Sequence, residues 1–567
     1  MHILLVASAF NSLTQRVLTE LQDRGHTAGV VLALGDDEVL REAVRQHAPA
    51  LIVAPMLTTA IPEDIWRAHT CLIVHPGPPG DRGPSSLDWT LQGGVESWGV
   101  TVLEAVAEMD AGDVWAWSPL KVPPLAGKSD LYRGEVADAA VDAVLLAVER
   151  FGSGRYKPKR QKAADLAAGW RPFLKQAQRR IDWATDSTET VLRQLRAADS
   201  QPGVLDDLLG APWHLHGGHP EDELRGMPGE VLATRDGAIC RATVDGAVWI
   251  AQLRPPGLCA SSFKLPATEA LGARLPAGVP EVPAPLDLPA GRRTWREIRY
   301  SERGPVGVLN FSFAGGAMST AQCRRLLDAY RFACDRPTSV LVLGGLRDFF
   351  SNGIHLNVIE AAADPAEESW ANIHAMNDLV QAVLTTTDRL TVAALGGNAA
   401  AGGVMLALAA DEVWCRDGVV LNPHYRLMGL HGSEYWTYSL PRRVGIEEAE
   451  RLTQSALPVS AKRAVALGLA QRVLQAAPEE LGDEVERLAA QLAASPDLAA
   501  RIARKQEARA RDEAIKPLQA YRDEELAHMR RNFFEAGEPY PALRSAFVRK
   551  HKALHTPPHL AALGLPR

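Results

Sequence analysis

Apolar runs and amphipathic stretches alternate along the first 160 or so residues. Ile3–Val6, Ala28–Leu32 and Leu51–Ala54 are short and wholly apolar, while Ser12–Asp23 and Asp37–Gln46 repeat apolar residues at three- and four-residue spacing. Short strands separated by amphipathic helices predict a parallel, doubly wound sheet reaching to about Lys162. Gly99–Leu103 and Val114–Trp117 flank Met109-Asp110-Ala111-Gly112-Asp113, which predicts strand, turn, strand and places Asp110 near a sheet edge.

The pattern then changes. Tyr156–Ser187 is basic and polar and reads as an exposed connector. After a helix over Thr188–Ala198, Glu230–Thr234, Ala238–Thr243 and Val248–Leu253, separated by Asp-Gly turns, predict a small β barrel or sandwich within Pro202–Leu265. Pro266–Arg292 is rich in Pro and Ala, too poor in large apolar residues to fold alone, and reads as a linker. Beyond it, Trp295–Tyr300, Val306–Phe311 and Ser339–Leu343 predict strands and Thr320–Cys334 a helix. Glu479–Ala494, Leu498–Ala514 and Gln519–Phe534 predict a helical end. The expected divisions are therefore 1–165, 166–265, a linker at 266–294, 295–480, and a helical region at 481–567 of an α/β multidomain chain.

Composition narrows the function. A chain of 567 residues exceeds one core, and a net charge of -7 carries no nucleic-acid footprint, so small molecules and proteins are the expected partners. Six cysteines without a CxxC pair fit a reducing compartment, the cytoplasm, and point away from a metal site. The first ten residues lack a basic leader, so no secretory signal is expected. Val392–Ala410 is uncharged, but four Gly, an Asn and the following Asp411-Glu412 favour a strand, turn and helix over a membrane span.

Two places carry candidate chemistry. Cys71–His75 is an apolar strand that runs into a loop crowded with Gly and Pro, so His75 stands where open α/β sheets bind ligands. No GxGxxG follows the first strand, which removes the usual sign of dinucleotide binding. Farther along, Phe350-Ser351-Asn352-Gly353-Ile354-His355 and Ala399-Ala400-Ala401-Gly402-Gly403 each place glycine where a helix begins. Facing one another, two such helix starts would aim two backbone N–H groups at one carbonyl oxygen.

The first half resembles the formyltransferases that use 10-formyltetrahydrofolate, with a Rossmann-like domain followed by a small β domain. His75 matches the histidine of their Asn-x-His signature, Gly99-Val100-Thr101 their Gly-Val-Thr strand, and Asp110 their aspartate. The asparagine position holds Ile73, a departure that bears on how a formyl group is oriented. Within the loop, Arg82 and Ser85 become candidates for contact with the cofactor. The second half resembles the crotonase superfamily, which binds coenzyme A thioesters. That likeness implies Ile354 and Gly402 as the two oxyanion donors and Gly353, His355 and Gly403 as neighbours of the coenzyme. The two hydratase carboxylates are replaced by Met405 and Tyr425, which disfavours enoyl-CoA hydration and leaves Tyr425 and Glu434 as polar candidates. The two halves in one chain resemble a family of hydrogenase maturation proteins. What this implies is formyl transfer from 10-formyltetrahydrofolate to coenzyme A, then breakdown of formyl-CoA to carbon monoxide, the iron ligand of [NiFe]-hydrogenase, with other maturation proteins as possible partners. The alternatives are a formyltransferase with an amine acceptor and a crotonase docking module, or a non-catalytic carrier of folate and coenzyme A.

Overall fold

The computed structural model describes residues 1–162, 169–257, 262–289, 291–551 and 553–565; Cys259 lies outside them. The chain forms two compact units, one of Met1–Pro256, Pro266–Glu281 and Lys552–Arg567, the other of Gly257–Leu265 and Val282–His551.

The first unit opens with β1 (His2–Ala7), β2 (Thr27–Leu32), β3 (Leu51–Ala54), β4 (Cys71–His75), β5 (Ser97–Glu104) and β6 (Val114–Lys121), in sheet order β2-β1-β3-β4-β5-β6. The helix Ser12–Asp23 begins where the Asn11 side chain accepts the N–H of Thr14, and it buries Leu13, Val17, Leu18 and Leu21. β1 to β4 are parallel, but β5 runs antiparallel to β4 and β6 antiparallel to β5. The sheet is therefore mixed, not wholly parallel as expected. Residues 105–113 between β5 and β6 form a hairpin turn, too short for the crossover that parallel strands need.

Next comes one antiparallel sheet of β7 (Val204–Leu208), β8 (Ala211–Glu221), β9 (Val231–Arg235), β10 (Ala238–Ala242) and β11 (Ala247–Arg254), ordered β7-β8-β11-β10-β9. Asp236 and Gly237 both take positive φ between β9 and β10, the turn that matches strand twist. The helix Thr188–Ala198 packs Val191, Leu192 and Leu195 with Leu215, Ile239 and Ile250.

Two expectations change here. The basic stretch 156–187 is not simply an exposed connector: Val114 N–H donates to Lys159 O at 2.8 Å, Arg171 N–H to Arg82 O at 2.9 Å, and Leu174, Ile181 and Trp183 are buried; residues 163–168 of it lie outside the described ones. The Pro/Ala stretch is not a free linker throughout, because Ala267–Leu271 is helical and puts Ala267 and Leu271 into the core under β10 and β11. Small apolar residues that cannot build a core can still dock on an existing one.

In the second unit the strands Ile298–Arg303, Val306–Phe311, Val340–Gly344, Leu390–Leu395, Glu412–Arg416 and Arg472–Leu474 lie in that order, the first pair antiparallel and the rest parallel. A small second sheet joins Ala399–Ala400, Val420–Asn422 and Val459–Ser460. The helix Pro365–Thr385 is not legible in the sequence, since its buried face carries Ser369, Asn372 and Asn377 among Ile373, Met376 and Val380 and so blurs the apolar repeat. The helical end is not a separate region. Leu526, Met529 and Phe533 of the helix Leu518–Phe534, with Tyr540, share a core with Ile373. Past His551 the chain belongs to the first unit, where Leu32 N–H donates to Thr556 Oγ1 at 2.9 Å on the edge strand β2. No helix among the described residues is long and apolar enough to cross a membrane.

Candidate functional site

In each unit the residues singled out from the sequence gather polar groups around them. His75 ends β4 opposite Thr101 of β5, and the loop after it is pinned from three sides: Thr101 Oγ1 donates to Gly77 O at 2.7 Å, Ser86 Oγ to Pro76 O at 2.8 Å and Trp98 Nε1 to Pro76 O at 2.9 Å. The ring stands between two carboxylates. Its Nε2 lies 2.9 Å from Asp81 Oδ2 and its Nδ1 3.6 Å from Asp110 Oδ1, so the nearer acid is Asp81, which the sequence pattern does not single out. Gly77 is dictated by this approach, because a Cβ there would come within 2.3 Å of Asp81 Oδ2 and 2.6 Å of His75 Nε2. Arg171 Nη2 lies 3.1 Å from Asp81 Oδ1 and balances its charge. Asp110 takes a φ of 57°, and its Oδ2 accepts the N–H of Gly83 at 3.1 Å. Gln161 holds that turn by donating to Asp110 O and Gly112 O while its Oε1 accepts the N–H of Gly80. Arg82 is buried, donating to Met109 O at 2.8 Å and pairing with Glu108 at 2.9 Å, and Ser85 Oγ accepts the N–H of Leu174 at 3.2 Å. Both candidates for cofactor contact therefore brace the loop in this structure. Ile73 lies two residues before His75 on β4 and packs with the apolar cluster of Leu4, Val6 and Ile52.

In the second unit the two glycine runs do meet. A Cβ on Gly353 would lie 3.4 Å from Gly402 N, and one on Gly403 would strike Ser351 O at 2.0 Å. Neither Ile354 N–H nor Gly402 N–H donates to a backbone acceptor among the described residues; Gly402 opens the helix Gly402–Leu408, whose first N–H groups have no partner within the helix. Gly353 spends its own N–H on Ser351 Oγ at 3.1 Å. His355 caps the helix Leu356–Ala361 through Nδ1, and burial lowers its pKa to about 4.

Glu434 is almost wholly buried, and a Cβ on Gly402 would lie 2.1 Å from its Oε1, so the carboxyl sits directly against the second glycine run. Tyr425 donates its hydroxyl to Glu434 Oε2 at 2.9 Å, and Ser433 N–H reaches the same oxygen at 3.1 Å. Burial pushes the Glu434 carboxyl up to about 7, opposed by the Tyr425 hydrogen bond and reinforced by the charge of Glu525. The Tyr425 phenol is held well above its ordinary value by burial and by Glu434, so it remains a donor. Met405 is fully buried in the core. Three residues that the sequence does not reveal complete the cluster: Asn372, whose Oδ1 accepts the N–H of His355, and Asn377 and Glu525, which hold the backbone around Glu434. No group of three His, Cys, Asp or Glu among the described residues is placed to hold a metal ion.

Comparison with known proteins agrees with both halves. Residues 174–264 match the formyl transferase C-terminal domain and residues 316–539 the enoyl-CoA hydratase/isomerase family. The chain is 48% identical over 559 residues to hydrogenase maturation factor HoxX of Bradyrhizobium diazoefficiens, covering 98% of this chain and 96% of that one. A methionyl-tRNA formyltransferase of Streptococcus pneumoniae is 25% identical over 227 residues, 40% of this chain and 68% of that protein. The crystal structure of HypX from Aquifex aeolicus in complex with tetrahydrofolic acid superposes with a TM-score of 0.94 at 44% identity, covering 98% of each chain.

Proposed function

The chain belongs to the HoxX/HypX family of hydrogenase maturation factors, and from that premise we propose that it makes carbon monoxide from the formyl group of 10-formyltetrahydrofolate by way of formyl-CoA. The tetrahydrofolic acid in the Aquifex relative supports folate as the donor here, and the crotonase-like unit supports coenzyme A as the acceptor.

In the first step the thiol of coenzyme A attacks the formyl carbon and the bond from that carbon to folate N10 breaks. The thiol proton passes to N10, so the products are tetrahydrofolate and formyl-CoA. His75, fixed between Asp81 and Asp110, carries that proton. In the second step the formyl oxygen accepts from Ile354 N–H and Gly402 N–H, and Glu434 takes the formyl proton. The C–S bond breaks with its electron pair on sulfur, carbon monoxide leaves, and the proton returns from Glu434 to the thiolate. Tyr425 stays protonated and steadies the Glu434 carboxylate by its hydrogen bond.

The observation that carries this reading is a buried carboxyl with a proton affinity near neutrality, placed against Gly402, whose N–H donates to no backbone acceptor among the described residues. A base poised near 7 suits a protein acting in the cytoplasm. The likeness to methionyl-tRNA formyltransferase supports a second reading, an amine acceptor with the crotonase unit as a docking module. Purified protein given 10-formyltetrahydrofolate with and without coenzyme A, with carbon monoxide trapped on a haem protein, decides between them. Carbon monoxide that requires coenzyme A is expected. Turnover with an amine and without coenzyme A establishes the second reading, and a single stoichiometric release of folate would mark a carrier.

A further inference from the structure

Ser433-Glu434-Tyr435 holds a backbone shape that residues with side chains avoid. Glu434 and Tyr435 take φ of 59° and 58°, two consecutive left-handed residues where glycine is the usual choice. Two side chains from helices remote in sequence fix them. Asn377, from the helix Pro365–Thr385, accepts the N–H of Glu434 on Oδ1 at 2.7 Å and donates from Nδ2 to the Ser433 hydroxyl oxygen at 2.8 Å. Glu525, from the helix Leu518–Phe534, accepts the N–H of Tyr435 at 2.9 Å on Oε2, and on Oε1 the N–H of Thr437 at 2.9 Å and its hydroxyl at 2.6 Å. The Ser433 hydroxyl also lies 3.3 Å from Glu525 Oε2, so one residue bridges the two acids: its hydroxyl faces Glu525 and its N–H faces Glu434.

The hydrogen bonds are unevenly shared. Glu525 receives donors on both oxygens, whereas Glu434 receives both of its donors on Oε2 and leaves Oε1 against Gly402. These donors stabilise the Glu525 anion, though burial outweighs them. The groups that face Glu434 are the Tyr425 phenol, the Ser433 and Asn377 dipoles, the buried Cys323 thiol and, behind Ser433, Glu525; no basic side chain among the described residues lies within ion-pair distance of it.

We propose that Glu525 is a positioning residue for Glu434: it clamps the left-handed turn that presents Glu434 to Gly402 and sets a second negative charge behind it. The inference deepens the assignment of Glu434 as proton acceptor and rests on that reading. Burial brings both carboxyls to about 7, and the Glu525 charge is among the causes that raise Glu434.

The test is an infrared titration of the full-length protein with 13C-labelled glutamate, in which loss of a band in Glu434→Gln assigns it. The expected midpoint lies near neutrality in the unaltered protein and falls by roughly one pH unit in Glu525→Gln, because a like charge has gone. Thr437→Val, which takes one donor from Glu525, is expected to move it less in the same direction. The acid limb of carbon monoxide release should shift with the infrared midpoint. An unmoved midpoint in Glu525→Gln overturns the proposal even if activity falls, since a loosened turn alone would lower activity. Should Glu525→Gln fail to fold, an unmoved midpoint in Thr437→Val overturns it equally. A midpoint that moves in a protein that releases no carbon monoxide supports the coupling of the two acids and refutes the reaction assigned to Glu434.

Discussion

The two units bury acids in opposite ways. Around His75 each carboxylate stands beside a basic side chain: Asp81 lies between Arg171 and the imidazole, and Asp110 faces the ring's other nitrogen. Around Glu434 the partners are a phenol, a backbone N–H and a second acid, with no basic side chain in ion-pair reach among the described residues. The first arrangement fixes a proton carrier between permanent partners. The second denies an anion its usual compensation and so leaves a carboxyl ready to accept a proton at neutral pH. A formyl transfer between two heteroatoms calls for the former, and removal of a proton from carbon calls for the latter.

Breaking the second site should have the largest effect. Glu434→Gln is expected to lower carbon monoxide release by about 10³-fold or more, while folate release in a single turnover is unchanged, as measured by haem trapping and by tetrahydrofolate absorbance. Breaking the first site comes next: His75→Gln should slow tetrahydrofolate formation by about 10²-fold or more yet leave added formyl-CoA broken down at the ordinary rate, which separates the two sites cleanly. Tyr425→Phe removes one charge-assisted hydrogen bond and should cost about 10- to 100-fold in carbon monoxide release with coenzyme A binding intact.

The remaining effect is on stability and leaves the chemistry aside. Glu434 and Glu525 titrate near 4.5 when unfolded and near 7 when folded. Between those values the folded state holds more protons, so the stability these two acids contribute is full below about pH 4.5 and is lost as pH rises through 7. The expected loss is on the order of a few kcal/mol, reduced by the coupling of the two acids. Denaturant unfolding at pH 5 and pH 8 should show the decline in the unaltered protein and a shallower one in Glu434→Gln.

Much of the molecule is legible in the chain because local pattern suffices. The helices Ser12–Asp23 and Thr320–Cys334 and the strands Leu51–Ala54 and Val306–Phe311 are where apolar spacing puts them. His75, Asp110, Ile354, Gly402, Tyr425 and Glu434 stand out through motifs, and the structure brings His75 to Asp110 and Tyr425 to Glu434. Asp81 is within reach, an acid in the same loop six residues past the histidine, but nothing local says which way its side chain turns. Arg171, Asn377 and Glu525 are out of reach, because each acts on a residue 57 or 90 positions away and only the fold joins them. The turn between β5 and β6 is legible at Met109–Asp113, but the antiparallel placing of β5 beside β4 escapes, because strand direction is set by how the chain returns between strands, not by the strands' own residues.

The central claim is that one chain makes formyl-CoA at one site and breaks it at another. A rapid-quench single turnover of Glu434→Gln with 13C-formyl-labelled 10-formyltetrahydrofolate and coenzyme A tests it most directly. The account predicts labelled formyl-CoA accumulating in step with tetrahydrofolate and little carbon monoxide. Labelled carbon monoxide at the ordinary rate, or tetrahydrofolate without any formyl-CoA, would contradict it.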